Sequence, residues 1–486
     1  MPGNLNVLFL AAEAEPFIKV GGLGDVAGSL PRALRALPSE IMPGTSLDVR
    51  LVLPMHSVIK PATGGLRPLM IFPVFEKSGP VSVQAFVARV EGMVVYLLDA
   101  EPIARGGSVY SSDSSLDGEK YAFFSMAALE LARRLEWSVN VIHANDWHTA
   151  LACYAVLLRR REGEFSGTVT ILTIHNLPFM GPALGALLPR LGLPRVETGL
   201  PGWASSRPLA LGIWAADAIV AVSPSYAEEI QTRQFGNGLD GYLRARRESL
   251  HGILNGIDTV SYNPALDPAI ASNFGVPTLD RRSQNKAALQ ARFGLPAQAE
   301  VPLFGVVSRL DPQKGIDLLA AAFRRLRHLP WQAVVLGTGM PRLERSLKRL
   351  EMEFPDRFRA EIGYDAGLAR QIYAGVDILI MPSRYEPCGL AQMIAMRYGC
   401  LPLVSAVGGL RDTVVDAETG FVMGAPTAAR LASTAKRAIQ LLQDKPEWAR
   451  MQVAAMTQEF SWAASSRKYL DLYQSLLLQA VPHQMP

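Results

Sequence analysis

Cysteine is scarce in this sequence: only Cys153, Cys388 and Cys400 occur among 486 residues. A small, odd number of cysteines provides no disulfide framework, so we expect a reducing compartment, the cytoplasm. The seven histidines are dispersed, and no His/Cys group has the spacing of a zinc site. An Asp-x-Asp pair suited to holding Mg²⁺ and a diphosphate is missing too. We therefore expect no metal ion and no other cofactor.

Long apolar runs and concentrated charge are also missing. No run approaches the ~20 apolar residues that a membrane-spanning helix needs. The apolar stretch Val7–Ala12 follows no basic residue and precedes acidic ones, which makes a poor signal peptide. The net charge of +4 is small and the basic residues are scattered, whereas a nucleic-acid-binding domain carries a concentrated basic patch. We expect neither a membrane nor a nucleic-acid partner.

Hydrophobic residues make up 49% of the chain, whose length exceeds what one ordinary core accommodates. Short β-rich runs alternate with helical patterns, which is typical of parallel α/β layers, and this series restarts after Asn255-Gly256. The sequence predicts two Rossmann-like doubly wound domains, residues 1–256 and 257–460, followed by a helical segment at 461–486. Two such domains facing each other would bind ligands in the crevice between them, at the carboxyl ends of both sheets.

The strand predictions follow from β-rich apolar runs. They are Asn6–Ala11, Asp48–Pro54, Val141–Ala144, Thr168–Ile174 and Ala218–Val222 in the first domain, and Leu303–Ser308, Ala333–Leu336, Arg359–Ile362, Ile378–Met381 and Leu401–Val404 in the second. Between Met70 and Asp99 the alternation is β-like without a clear helix, which suggests an antiparallel insertion.

A glycine-rich motif follows the first predicted strand and opens a helix: Lys19-Val20-Gly21-Gly22-Leu23-Gly24-Asp25. Glycines let the backbone approach a ligand closely, and N–H groups at a helix N-terminus suit a phosphate. Lys19 adds a positive charge beside them. The spacing matches neither the dinucleotide fingerprint nor the Walker loop. A purely structural strand-to-helix turn is the alternative interpretation.

Polar residues follow later strands of the first domain. Asp146 is a candidate sugar ligand because carboxylates accept hydroxyl hydrogens, although it could instead cap the next helix. A lone histidine is more often structural, but the strand-end position of His175, beside Asn176, favours a functional role. Asn255 lies in an Asn-Gly turn signal that could also direct its side chain towards a ligand.

The second domain carries two cationic candidates after its first strand. Arg309 and Lys314 are close enough in sequence to converge on one diphosphate, Arg as a fork and Lys as a point charge. Such cations would neutralise a departing nucleotide diphosphate, as a metal ion otherwise does. Two solvated surface cations are the alternative.

A second turn in this domain presents Glu386 to sugar hydroxyls and opens a helix at Gly389 or Leu390, with N–H groups suited to phosphate. A plain turn with a solvated Glu386 is the alternative. Cys388 has no evident base beside it, which favours packing or a backbone contact over a nucleophilic role.

Together these motifs resemble bacterial glycogen synthases and plant starch synthases, in order and over nearly the whole chain. The specific signals are Lys-x-Gly-Gly-Leu-x-Asp-Val, Ser-Arg-Leu-x-x-Gln-Lys-Gly and Glu-Pro-Cys-Gly-Leu. The resemblance implies the B-type glycosyltransferase fold and a retaining, metal-independent transfer of glucose. The implied donor is ADP-glucose and the implied acceptor is the non-reducing end of an α-1,4-glucan. The final helix is expected to cross back to the N-terminal domain.

The resemblance also implies a role for each motif residue. At the diphosphate it places Arg309 and Lys314, with Lys19, Gly21, Gly22 and Asp25 in the loop that faces it. At the glucose it places Glu386, Cys388, Gly389, Leu390, His175 and Asn176, of which His175 and Asn176 lie by the reacting carbon. Asp146 would contact the acceptor or transferred sugar, Asn255 the donor sugar or phosphate, and Tyr364 the adenine ring.

The sequence departs from the family's usual pattern at two places, and several other functions are alternatives to this assignment. Ala391 stands where the family usually has a polar residue, and the segment 182–210 looks unlike the usual family segment, which puts acceptor preference in doubt more than chemistry. Ile394, eight positions after Glu386, is not the second carboxylate that a double displacement needs. Front-face attack is therefore favoured. The rival functions are a related transferase using UDP-glucose or another acceptor, a glucan phosphorylase and a non-catalytic glucan-binding protein. A nicotinamide dehydrogenase lacks the required fingerprint.

Overall fold

The computed structural model describes residues 3–42, 44–59, 65–105 and 107–480. The chain divides into two compact units, one formed by Met1–Gly256 with Trp462–Pro486 and the other by Ile257–Ser461. Each unit is built around its own sheet.

The sheet of the first unit has nine strands within the described residues. They are β1 (Asn4–Leu10), β2 (Ser46–Pro54), β3 (Arg67–Glu76), β4 (Gly79–Val90), β5 (Met93–Asp99), β6 (Val141–Asn145), β7 (Val169–Ile174), β8 (Ala218–Ala221) and β9 (Leu250–Gly252). Their order across the sheet is β3-β4-β5-β2-β1-β6-β7-β8-β9. The β3–β4 and β4–β5 pairs are antiparallel, and the other neighbours are parallel.

Helices accompany these strands along the chain. They are α1 (Gly22–Arg35), α2 (Glu101–Arg105), α3 (Ser114–Arg134), α4 (Asp146–Arg160), α5 (Leu187–Arg190), α6 (Pro208–Ala215), α7 (Pro224–Glu229) and α8 (Asp240–Ala245). Strands β6, β7 and β8 are buried at every residue. A parallel strand packed on both faces has no solvent-exposed side, which explains why none of the three carries alternate charged residues.

The second unit has a six-stranded, wholly parallel sheet in the described chain, ordered β12-β11-β10-β13-β14-β15. Its strands are β10 (Leu303–Val307), β11 (Gln332–Gly337), β12 (Phe358–Ile362), β13 (Ile378–Met381), β14 (Leu401–Ser405) and β15 (Phe421–Met423). Its helices are α9 (Arg282–Arg292), α10 (Asp317–Arg325), α11 (Pro341–Glu353), α12 (Ala366–Gly375), α13 (Ala391–Arg397), α14 (Gly408–Thr413), α15 (Ala428–Leu441) and α16 (Lys445–Met456).

The last helix, α17 (Trp462–Ala480), belongs to the first unit although it follows the second in sequence. Its apolar residues join the core formed by β1, β2 and β5. On β6, His143 places Nδ1 2.7 Å from the Tyr473 hydroxyl of α17 and Nε2 2.7 Å from Thr173 Oγ1 of β7. The helix is thus bonded to two strands that lead into predicted site residues.

The predicted fold class is confirmed: both units are Rossmann-like α/β layers. Every predicted strand is present, with ends that differ by no more than two residues, and the antiparallel insertion between Met70 and Asp99 is the β3–β5 meander. Two three-residue strands, β9 and β15, were not predicted, because so short a segment leaves no periodicity. None of the helices in the described ranges is long and apolar enough to cross a membrane.

Candidate active site

The glycine-rich loop follows β1, and its backbone is hydrogen-bonded to a buried carboxylate. Glu13 is 1% exposed and accepts hydrogen bonds from the N–H groups of Val20 and Gly21, the latter at 3.1 Å from each oxygen. The Gly21 N–H is therefore engaged inside the protein. The N–H groups of Gly22 and Leu23 begin α1, and a first-turn N–H has no acceptor within its own helix.

Lys19 is held at the edge of this loop by two carboxylates. Its Nζ lies 2.6 Å from Asp25 Oδ1 and 3.0 Å from Glu15 Oε1. Burial lowers the pKa of Lys19, but its attraction to Asp25 and Glu15 outweighs burial, and the net effect raises the pKa above its ordinary value. Lys19 thus carries a full positive charge at neutral pH, and Asp25 orients it.

Asp146, at the start of α4, is brought directly against the end of β7. It is 8% exposed and has a positive φ of 54°, a conformation that Asp tolerates better than most residues. Its Oδ1 accepts the N–H of His175 at 2.7 Å and that of Asn176 at 3.3 Å. Burial raises the pKa of Asp146 to about 7, and the negative charge of Glu13 adds to this effect.

The His175 ring is oriented by Asn145. Asn145 donates Nδ2–H to the Leu10 carbonyl at 2.9 Å, so its Oδ1 is the oxygen that lies 2.9 Å from His175 Nε2. Because an amide oxygen only accepts, Nε2 carries the proton and Nδ1 is left as an acceptor. Burial lowers the pKa of His175 to about 3. The ring is therefore neutral throughout the physiological range.

Among the described residues of the first unit, two amide oxygens are buried without a hydrogen-bond partner there, Asn176 Oδ1 and Asn255 Oδ1. Buried polar atoms are seldom left unsatisfied, so each needs a water molecule or a ligand group. A sugar hydroxyl would satisfy either oxygen. The unmet acceptors support the predicted ligand roles of these two residues.

In the second unit, the loops after β10 and β13 bring Lys314 and Glu386 together. Lys314 Nζ lies 2.8 and 2.6 Å from the two Glu386 oxygens, and Ser383 Oγ donates to Glu386 Oε2 at 2.9 Å. Gly315 follows at φ 68°, where a Cβ would come within 2.1 Å of the Pro382 carbonyl oxygen. This close approach of the two loops explains the glycine in the Gln-Lys-Gly motif.

Arg309 and Tyr364 present their side chains to solvent. The Arg309 side chain is 62% exposed and its Nη2 lies 3.6 Å from Asp311 Oδ2, a distance at which the guanidinium keeps most of its donors available. Tyr364 is 82% exposed, which is unusual for so large a ring. Both arrangements suit residues that contact a ligand instead of the core.

The Cys388-Gly389-Leu390 turn is shaped by contacts that local sequence does not reveal. Gly389 has φ 72°, and a Cβ there would meet Gln392 Oε1 at 2.5 Å. Gln392 Nε2 donates to the carbonyls of Cys388 and Gly389 at 3.1 and 2.9 Å, so the carbonyl side of the turn is held by α13. A Cβ on Gly409 would approach the Cys388 carbonyl oxygen to 2.2 Å, so the Gly-Gly pair opening α14 is required by packing.

Some of the residues that build the site were not predicted. Glu13 and Asn145 position the loop and the imidazole, Ser383 supports Glu386, and Gln392 supports the turn. Glu13 had one usable signal, a lone acid in the apolar segment Ala11–Ala14 at a strand's carboxyl end. Within the described ranges, no group of three His, Cys, Asp or Glu residues is arranged to hold a metal ion.

Two family models match the chain: "Starch synthase catalytic domain" over residues 6–245 and "Glycosyl transferases group 1" over residues 289–457. A glycogen synthase of Streptococcus gordonii is 41% identical over 488 residues, covering 97% of this chain and 100% of that protein. A glycogen synthase of Anaeromyxobacter dehalogenans is 39% identical over 487 residues, covering 97% of this chain and 99% of that protein.

Solved structures give the same result. The catalytic domain of starch synthase IV from Arabidopsis thaliana, bound to ADP and acarbose, has a TM-score of 0.88 and 31% identity, and covers 98% of this chain and 100% of that one. A sucrose-phosphate synthase from Thermosynechococcus elongatus has a TM-score of 0.62 at 19% identity, with the same coverage, and shows the fold alone. From the whole-length matches and the site geometry together, the chain belongs to the glycogen and starch synthase family of glycosyltransferases.

Proposed function

We propose that the protein is an ADP-glucose-dependent glycogen synthase that extends the non-reducing end of an α-1,4-glucan with retention of configuration. The observation that carries this proposal is the Lys314–Glu386 pair beside the exposed Arg309, in a chain that matches glycogen synthases along its length. In this arrangement cations are available for a diphosphate and a carboxylate for glucose hydroxyls. The arrangement requires neither a metal ion nor another cofactor.

The proposed reaction breaks the bond between the glucose anomeric carbon and the diphosphate oxygen. Arg309 and Lys314 stabilise the negative charge that develops on the departing diphosphate. Glu386 and the N–H side of the Cys388–Leu390 turn hold the glucose hydroxyls. The acceptor 4-hydroxyl attacks from the face that the diphosphate leaves, and its proton passes to the diphosphate oxygen. Attack on that face retains configuration without a carboxylate nucleophile.

Residues of the first unit serve the sugar in this scheme. Neutral His175 offers Nδ1 as an acceptor for a glucose hydroxyl hydrogen, and the unmatched oxygens of Asn176 and Asn255 accept further hydroxyls. Asp146, fixed by the N–H groups of His175 and Asn176, contacts the acceptor or the transferred sugar.

ADP-glucose is favoured over UDP-glucose for two reasons. The starch synthase of Arabidopsis thaliana that this chain resembles was solved with ADP and acarbose bound. The exposed Tyr364 ring offers a flat surface for stacking on adenine, a purine with a larger face than uracil.

The expected compartment is the cytoplasm, since all three cysteines are free and buried.

The direct test is transfer of label from ADP-[¹⁴C]glucose to glycogen, with UDP-[¹⁴C]glucose in parallel and EDTA in both reactions. We expect label in the polymer from ADP-glucose, undiminished by EDTA. Label from UDP-glucose alone would overturn the donor assignment. A folded protein that transfers label from neither donor would overturn the proposed activity and favour a glucan-binding role.

A further inference from the structure

Glu13 is a buried carboxylate that the proposed reaction does not use. It lies three residues beyond β1 at 1% exposure. Its oxygens receive the N–H groups of Val20 and Gly21. A carboxylate that accepts two backbone donors is a strong, charge-assisted anchor for a loop.

The anchor divides the loop's N–H groups into two sets. Those of Val20 and Gly21 are bonded to Glu13, while those of Gly22 and Leu23 lie in the first turn of α1, where an N–H has no acceptor within its own helix. A Cβ on Gly21 would lie 3.3 Å from Glu13 Oε1, closer than most real Cβ contacts allow. The carboxylate of Glu13 thus gives position 21 a packing reason for glycine.

The charge of Glu13 acts on three titratable groups: Asp25 of α1, Tyr121 of α3 and Asp146 at the β6–α4 junction. Burial raises the pKa of Glu13, whereas the hydrogen bonds from the loop N–H groups favour its charged form. A change at Glu13 therefore acts first on the loop that donates these bonds.

We propose that Glu13 is a positioning residue for the donor site: it fixes the Lys19–Gly22 loop by accepting the N–H groups of Val20 and Gly21. The effect on donor affinity rests on the proposed function, whereas the effect on the loop does not. Glu13 itself touches no substrate in this scheme, because its oxygens are buried beneath the loop.

The first variant is Glu13→Gln, which keeps the side-chain size but replaces one acceptor oxygen with a donor NH₂ group. We expect the donor KM to rise roughly tenfold, as for loss of one charged hydrogen bond, while kcat changes much less.

Two further variants test the anchor. Glu13→Asp keeps the charge but shortens the reach by one methylene, so the donor KM should rise although the charge is retained. Glu40→Gln makes the same chemical change as Glu13→Gln at an exposed position and should match the wild type in donor KM and kcat. If Glu13→Gln does not fold, as judged by circular dichroism, Glu13→Asp supplies the comparison.

Hydrogen exchange of the segment Phe17–Gly24 tests the anchor without substrate. We expect the Val20 and Gly21 amides to be protected in the wild type and to exchange at least roughly tenfold faster in the Glu13→Gln protein. Wild-type exchange rates in a folded Glu13 variant, or an unchanged donor KM, would overturn the proposal. If the wild type lacks transferase activity, the proposed function fails and the exchange result alone decides the role of Glu13.

Discussion

Lys314 and Glu386 form a nearly buried ion pair, with side chains 18% and 6% exposed. In the absence of donor each satisfies the other, and Ser383 supplies a third contact. A donor that binds here exchanges part of this pairing for its own phosphate and hydroxyl groups. The pair thus keeps two charges positioned without leaving either one unpaired.

Replacing either member of this pair should reduce turnover strongly. We expect Lys314→Ala and Glu386→Ala each to lower kcat roughly a hundredfold or more, about 2.7–4 kcal/mol, because a preorganised charge contact is lost. Lys436→Ala, at an exposed lysine of α15, is the matched control. Steady-state rates of glucose transfer measure the effect, and near-normal rates in both variants would refute the site assignment.

The raised pKa of Asp146 leads to a prediction about how the free energy of unfolding depends on pH. Its folded-state pKa of about 7 lies above the ordinary 3.8, so its contribution to stability is present at low pH and is lost as pH rises from about 4 to about 7. Asp146→Asn keeps an oxygen for the two N–H groups and cannot ionise. We expect the variant to exceed the wild type in free energy of unfolding slightly at pH 5 and more strongly above pH 7, where the difference reaches a few kcal/mol in order of magnitude.

Urea unfolding of both proteins at pH 5 to 8 measures this difference. A constant difference between the wild type and Asp146→Asn across that range would contradict the raised pKa. If the carboxylate contacts sugar, Asp146→Asn should also lose transferase activity. The wild-type protein would then keep an ionisable carboxylate that serves the reaction but lowers the stability of the fold.

Among the elements, α17 shows how a distant segment supports the site. Its Tyr473 hydroxyl bonds His143 on β6, and His143 bonds Thr173 on β7. Burial lowers the pKa of His143 to about 3, so the ring stays neutral and needs one donor and one acceptor around it. Tyr473 and Thr173 meet that need.

Removing the Tyr473 hydroxyl should destabilise the first unit. We expect Tyr473→Phe to lower the free energy of unfolding by about 1–3 kcal/mol, the cost of leaving a buried nitrogen unpaired. Leu478→Ala, on the exposed side of α17 at 61% exposure, should change it by less than about 0.5 kcal/mol. Thermal or urea unfolding tests the pair, and equal effects in the two variants would argue against the hydrogen bond.

Element by element, the regular strands and helices were predictable because buried parallel strands and amphipathic helices leave clear patterns in sequence. The short strands β9 and β15 were not, since each has three residues. The tertiary contacts that shape the Cys388–Leu390 turn could not be predicted from the sequence either. Gln392 and Gly409 lie near Cys388 only because α13 and α14 pack beside the same turn.

For the whole molecule, ligand binding should appear as added stability. A ligand that binds only the folded protein adds RT ln(1 + [L]/Kd), which is about 2.7 kcal/mol at a concentration of 100 Kd. We therefore expect ADP to raise the midpoint of thermal unfolding, and Lys314→Ala to reduce the shift. UDP at the same concentration should raise the midpoint less. Equal shifts with both nucleotides would remove the basis for an adenine preference.

By itself the sequence determined the fold class, the family and the identity of the motif residues, because these depend on local periodicity and on short patterns with specific chemistry. Tertiary structure decided how those residues are held. It brought Asn145 within hydrogen-bonding distance of the His175 ring and paired Lys314 with Glu386. It also turned two N–H groups of the glycine-rich loop towards Glu13. These contacts join segments from different elements, and their pairing depends on how strands and helices pack. No local pattern encodes that packing.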